Sequence, residues 1–117
     1  MTGYLLDSGY EVTVIDNFMF GEASLNHFCN HEKFHVVNGD VRVKETMKPL
    51  IASADVIIPL AALVGAPLCN KDPIAAKSTN FDAVLLMLEL ASDRQLILMP
   101  TTNSAYGTGD KNNFCDH

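Results

Sequence analysis

Gln95-Leu-Ile-Leu-Met99 runs without a break into Pro100-Thr-Thr-Asn-Ser-Ala-Tyr-Gly107, and this junction decides the fold. A short apolar run, stopped by proline and followed by hydroxyl, amide and glycine residues, reads as a buried parallel strand opening into a functional loop. In open α/β sheets, ligands bind beyond the carboxyl ends of the strands. The loop after Met99 is therefore a candidate binding edge.

Three upstream segments repeat the pattern. Tyr10 to Ile15 is rich in β-branched residues and exits through Asp16-Asn17. Phe34-His-Val-Val37 exits through Asn38-Gly39-Asp40, and Asp55-Val-Ile-Ile58 is stopped by Pro59. Helical segments alternate with these strands. Leu5 and Leu6 close a helix that Gly9 caps in the left-handed conformation. Lys44 to Ser53 carries Met47, Leu50 and Ile51 at helical spacing, with Pro49 inside it as a source of bending. Pro73 to Arg94 forms the longest helix, with Ala76, Phe81, Val84, Leu85, Leu88 and Leu90 as its apolar face. Gly21 to Asn30 is a polar loop with a short helix. Strand–helix alternation predicts one α/β domain over residues 1–117, with a parallel sheet and right-handed crossovers.

Composition bounds the function. The 117 residues allow one domain with a genuine core. A formal charge of -6 disfavours nucleic acid and anionic membranes as partners. The longest uncharged apolar run, Val56 to Cys69, is too short for a membrane helix and contains two prolines. Cys29, Cys69 and Cys115 are odd in number and far apart, which fits reduced thiols in a cytoplasmic protein. His27, Cys29 and His31 could supply metal ligands, but their spacing matches no common zinc arrangement, so no metal is expected. Cys115-Asp-His117 has the residue types of a triad on adjacent positions, which rarely converge.

Taken in order, these motifs resemble the extended short-chain dehydrogenase/reductase superfamily, in particular the NAD-dependent sugar-nucleotide epimerases and dehydratases. Val12-Thr-Val-Ile-Asp-Asn17 is similar to that family's second strand, which ends on the acid that holds the NAD ribose. Gly39-Asp40-Val41-Arg42 resembles its Gly-Asp-Ile-Arg motif. Leu60-Ala-Ala62 follows the third strand here as in its His-Leu-Ala-Ala segment, with Pro59 in place of His. Asn80 matches an Asn inside the long helix.

The resemblance implies a Rossmann-like three-layer fold and assigns roles. Asp16, with Asn17, binds ribose, and its charge repels the extra phosphate of NADP. Asp40 accepts from the adenine amine and Val41 packs on the ring. Leu60, Ala61 and Ala62 let the dinucleotide approach the backbone, and Asn80 faces the cofactor. Thr102, five residues before Gly107, touches the reacting hydroxyl of a nucleotide-sugar. An Asp after a strand also caps ordinary turns, and an Ala-Leu-Val stretch can be plain core. The order and spacing from Asp16 to Gly107 carry the assignment.

Two family features are missing from the 117 residues. The glycine fingerprint lies about 20 residues before the ribose-binding acid, whereas the residues before Asp16 hold only Gly3 and Gly9. None of Tyr4, Tyr10 and Tyr106 has a Lys four residues on, so the Tyr-x-x-x-Lys base pair is absent. The chain therefore reads as a truncated Rossmann-like domain without turnover, or alternatively as a noncatalytic nucleotide-binding or dimerisation module. In the family's strand order 3-2-1-4-5, loss of the first strand leaves a slot of roughly 9 to 10 Å between the Val12 and Val56 strands. Either those strands close up, or another copy of the chain supplies cover. Self-association is the expectation.

Overall fold

The computed structural model describes residues 1–21 and 23–101. Helix α1, Thr2–Asp7, ends where the Gly9 N–H donates to the Leu6 carbonyl and the Tyr10 N–H to the Leu5 carbonyl, at 2.9 and 3.1 Å. That closing pattern requires a left-handed residue, and Gly9 has φ of 88°. The chain then enters β1, Val12–Asp16, which pairs in parallel with β2, Phe34–Asn38, Val12 standing opposite Phe34 and Asp16 opposite Asn38. A 3-10 turn, Asn26–Phe28, lies in the loop between them.

Helix α2, Lys44–Ser53, runs through Pro49 without ending. It leads to β3, Val56–Ile57, which pairs in parallel with β4, Leu96–Ile97. Between β3 and β4 lie α3 (Ala66–Lys71), α4 (Pro73–Lys77), a π-helical turn (Ser78–Asp82) and α5 (Ala83–Leu90). Gln95 secures the start of β4 by donating through Nε2 to the carbonyls of Ile51 and Ala54, at 2.5 and 2.6 Å.

Side chains alternate across a strand, which gives three layers. Ile15 packs on a buried cluster of Met47, Ile51, Ile57 and Met87, contributed by α2, β3 and α5. On the other side α1 rests against β1, with Leu6 buried. Gly3 of α1 lies so near the Phe28 ring that an added Cβ would come within 3.2 Å of it. Phe28 in turn meets the buried Phe34 edge-on, with ring centroids 5.7 Å apart. The α/β three-layer fold with parallel strands is thus as the sequence implies.

The slot between β1 and β3 has not closed, because the strands form two separate two-stranded sheets. Met1, Ile58, Leu98, Met99 and Pro100 line an open apolar cleft of about 340 Å³. No described helix is long and apolar enough to cross a membrane.

Three details differ from the sequence reading. Helix α3 was not foreseen; it starts after Gly65, whose φ of 93° turns the chain ahead of Pro67. The long helix is α4, a π turn and α5 in succession, and it stops at Leu90 rather than Arg94, because Ala91 turns extended and the Ser92 N–H is held by Gln95 Oε1 at 2.8 Å. The extra residue of the π turn rotates everything after it. Val84 and Leu90 face the core as the sequence implies, with Ala83 and Met87 buried, while Phe81, Leu85 and Leu88 are about half exposed.

Met87 is 2% exposed and Leu85 49%. Met87→Ala should lower stability by about 2–5 kcal/mol, the range for emptying a packed core site. Leu85→Ala should cost less than about 1 kcal/mol. Denaturant midpoints of the two variants check this, and equal losses would place the core elsewhere.

Candidate functional site

The loops after β1 and β2 meet at the ends of their paired strands. The Gly39 N–H donates to the Asp16 carbonyl at 3.0 Å, so the exit of β2 folds across the end of β1. This close passage needs glycine. A Cβ at position 39 would lie 2.9 Å from Thr46 Cγ2 and 3.3 Å from Ile15 Cδ1.

Asp16 and Asn17 shape their own loop through successive Asx turns. Asp16 Oδ1 accepts from the Phe18 N–H at 2.8 Å, and Asn17 Oδ1 from the Met19 N–H at 3.1 Å. Phe18 adopts a left-handed φ of 52°, uncommon for a bulky residue. The turns shape a cleft of about 180 Å³ lined by Asp16, Phe18, Phe20, Gly21, Ser24 and Leu25. Asp16 is exposed, and among the described residues only its Oδ1 is engaged.

Asp40 is turned elsewhere, toward Arg42. The Arg42 Nε donates to both carboxylate oxygens at 2.9 and 3.0 Å, its Nη2 to Oδ2 at 2.5 Å, and its backbone N–H to Oδ1 at 2.9 Å. These bonds hold the Asp40 carboxyl below the usual carboxylate range and push the guanidinium above its own. Arg42 Nη1 also reaches Ser78 Oγ at 3.0 Å, which fastens the loop after β2 to the π turn. Val41 packs against the core cluster.

The loop after β3 is fixed by Asn80. Its Oδ1 accepts from the Leu63 N–H and its Nδ2 donates to the Leu63 carbonyl, both at 2.8 Å. Cys69 Sγ adds a longer contact to the same carbonyl, 3.3 Å. Leu63 is buried, which leaves Leu60, Ala61 and Ala62 exposed just ahead of it.

Asp16 and Asn17 thus lie in the loop after β1, Asp40 and Val41 in the loop after β2, Leu60, Ala61 and Ala62 in the loop after β3, and Asn80 in the π turn that is bonded to the last two loops. Asp40 does not line the Asp16 cleft. Thr102, Tyr106 and Cys115 to His117 lie outside the described residues. Among the described residues no three His, Cys, Asp or Glu side chains converge as metal ligands. His35 instead pairs with Glu11 at 2.9 Å, and the His27 ring lies tilted against Phe28. Sequence reasoning passed over Arg42, Ser78 and Leu63. The Asp-x-Arg spacing could have suggested the first, whereas nothing local marks the π turn that brings in the others.

Arg42→Gln tests the electrostatics. A depressed carboxylate pKa stabilises the fold above the unfolded value near 4 and loses that contribution as pH falls through the folded value. Urea midpoints of wild type and variant should differ most at neutral pH, begin to draw together below about pH 4 and come closest only below the lowered Asp40 value. A gap independent of pH would show that the pair does not couple to folding.

Comparison with known proteins completes the picture. A sequence profile of the NAD dependent epimerase/dehydratase family matches residues 1–116. UDP-glucuronic acid decarboxylase 1 of Danio rerio and that of Xenopus tropicalis are each 35% identical over 109 residues, 92% of this chain and 25% of the relative. The chain therefore spans about a quarter of the length of these relatives. Among solved structures, Pal from Bacillus thuringiensis superposes with a TM-score of 0.85 at 20% identity, covering 94% of this chain and 37% of that one. UDP-glucose 4-epimerase from Thermotoga maritima, crystallised with UDP-glucose, gives 0.77 at 21% identity, covering 94% and 36%. Likeness at that identity speaks to the fold.

Proposed function

Because the chain belongs to the NAD dependent epimerase/dehydratase family, we propose that its site is the adenosine side of a NAD site in an enzyme that acts on a nucleotide-sugar. One observation carries this reading: Asp16 ends β1 with a carboxylate oxygen unengaged among the described residues, over an open cleft.

The residues present fit that group. Ribose hydroxyls need an accessible anionic acceptor, which Asp16 supplies, and its charge disfavours the additional phosphate of NADP. Ala61 and Ala62 expose backbone behind small side chains, as a closely approaching dinucleotide requires. Asp40 and Val41 would border the adenine. The Asp40 carboxylate already receives several N–H donors from Arg42, so it offers that base a fixed, ionised edge. Asn17 shapes the ribose loop, and Thr102 would steady the sugar hydroxyl.

Bound NAD supplies a hydride acceptor, while the chain's own residues bind and orient. No Tyr in the sequence is followed by Lys at the fourth position, so these 117 residues bind without turnover. A noncatalytic nucleotide-binding or dimerisation module is the second reading. It is supported by a site made of binding groups, and by the exposed Phe81, Leu85 and Leu88 together with the apolar cleft at Leu98, which favour self-association. The free thiols of Cys29 and Cys69 favour the cytoplasm.

Calorimetry should show NAD binding more tightly than NADP. Asp16→Ala should weaken NAD by about 10–100-fold, the loss of a charge-assisted hydrogen bond. Absence of reduced nicotinamide absorbance on adding UDP-sugars would agree with binding alone. Failure of wild type to bind any adenine nucleotide would overturn the proposal.

A further inference from the structure

The Asp40 carboxylate is nearly full. The Arg42 Nε–H is shared between its two oxygens at 2.9 and 3.0 Å, Nη2 donates to Oδ2, and the Arg42 backbone N–H donates to Oδ1 at 2.9 Å. An ionised carboxylate offers about four acceptor directions. Three N–H groups from one residue therefore leave room for about one more. The fork is held from both ends. Val41, between the two residues, packs on the core cluster, and the Val43 N–H donates to the Asp40 carbonyl at 3.0 Å. On the far side Arg42 Nη1 donates to Ser78 Oγ at 3.0 Å, and that hydroxyl donates to the Ala75 carbonyl. The Asp40 side chain keeps 28% of its surface exposed, so the unfilled direction is reachable from solvent. A carboxylate in this state takes one further donor and has nothing to offer a group that lacks one.

We propose that Arg42 is a specificity-determining positioning residue: by filling and orienting the Asp40 carboxylate it leaves one acceptor direction, which selects nucleotides whose base carries an exocyclic amine. This deepens the adenosine-site reading and rests on it. Arg42 does not touch the ligand and acts through Asp40. Without the fork the carboxylate turns about its own side-chain bonds, and water takes up the freed acceptor directions, so an amine is no longer required of the ligand. A guanidinium suits this task because its planar donors match both oxygens, whereas an ammonium is a point charge.

The test is calorimetry on the 117-residue chain with adenosine monophosphate and purine riboside monophosphate, which differ only in the exocyclic amine. Wild type should prefer the amine-bearing ligand by about tenfold or more, the worth of a hydrogen bond to a charged acceptor. Arg42→Gln should weaken adenosine monophosphate and leave purine riboside monophosphate within about twofold, so that the preference falls to about threefold or less. Arg42→Lys keeps the charge without the fork and should lose the preference to a similar degree. A purely structural role would weaken both ligands equally and leave their ratio at the wild-type value, which overturns the proposal. Full preference retained in Arg42→Lys also overturns it, since charge alone then suffices. If wild type binds both ligands alike, the selection by Asp40 and Arg42 falls while the nucleotide site stands. If wild type binds neither, the adenosine reading falls and this proposal with it.

Discussion

The two strand pairs share no ladder, so their alignment rests on side chains. Met47 and Ile51 from α2, Ile57 from β3 and Met87 from α5 form one cluster, onto which Ile15 of β1 and Ile97 of β4 also pack. Apolar contact is nondirectional and proportional to the area removed from water. It can hold two sheets together without fixing the spacing between their edges. Directional bonds then place the loops. Gly39 is tied to Asp16, Arg42 to Asp40 and Ser78, Asn80 to Leu63, and Gln95 to the end of α2. The positions of these loops are thus set by hydrogen bonds built on an apolar cluster.

Much of the fold was legible because its signals are local. Tyr10 to Ile15 and Phe34 to Val37 announce strands through β-branched residues, and Gly9 announces a left-handed cap. Parallel direction followed from strand–helix alternation. The phase of the long helix was only partly legible. Periodicity assigned Phe81, Val84, Leu85, Leu88 and Leu90 to the buried face. Val84 and Leu90 do pack on the core, with Met87 and Ala83 buried, whereas Phe81, Leu85 and Leu88 are about half exposed. Helix α5 is apolar on both sides, so its sequence alone could not choose which side the core would take.

The site was readable by type but not by geometry. Carboxylates at strand ends and small residues after β3 stand out in a sequence. The partners that orient them do not, because Arg42 and Ser78 are 36 positions apart and Leu63 and Asn80 are 17 apart. Those separations are closed only by tertiary packing. Asp40 illustrates the difference. The motif marked it as an acceptor, and the structure shows that carboxylate already gripped by the guanidinium two residues along.

The position of Asp16 has a consequence for any redesign of its loop. One oxygen folds the turn that carries Phe18 into its left-handed conformation, while the other stays open to solvent among the described residues. Exchanging this acid for a side chain with no acceptor oxygen would unlatch the turn that borders the cleft, whereas Asn would keep it, as Asn17 does one position on. A redesigned specificity would therefore begin with a new loop from Asn17 to Leu25, and only afterwards with a new charge.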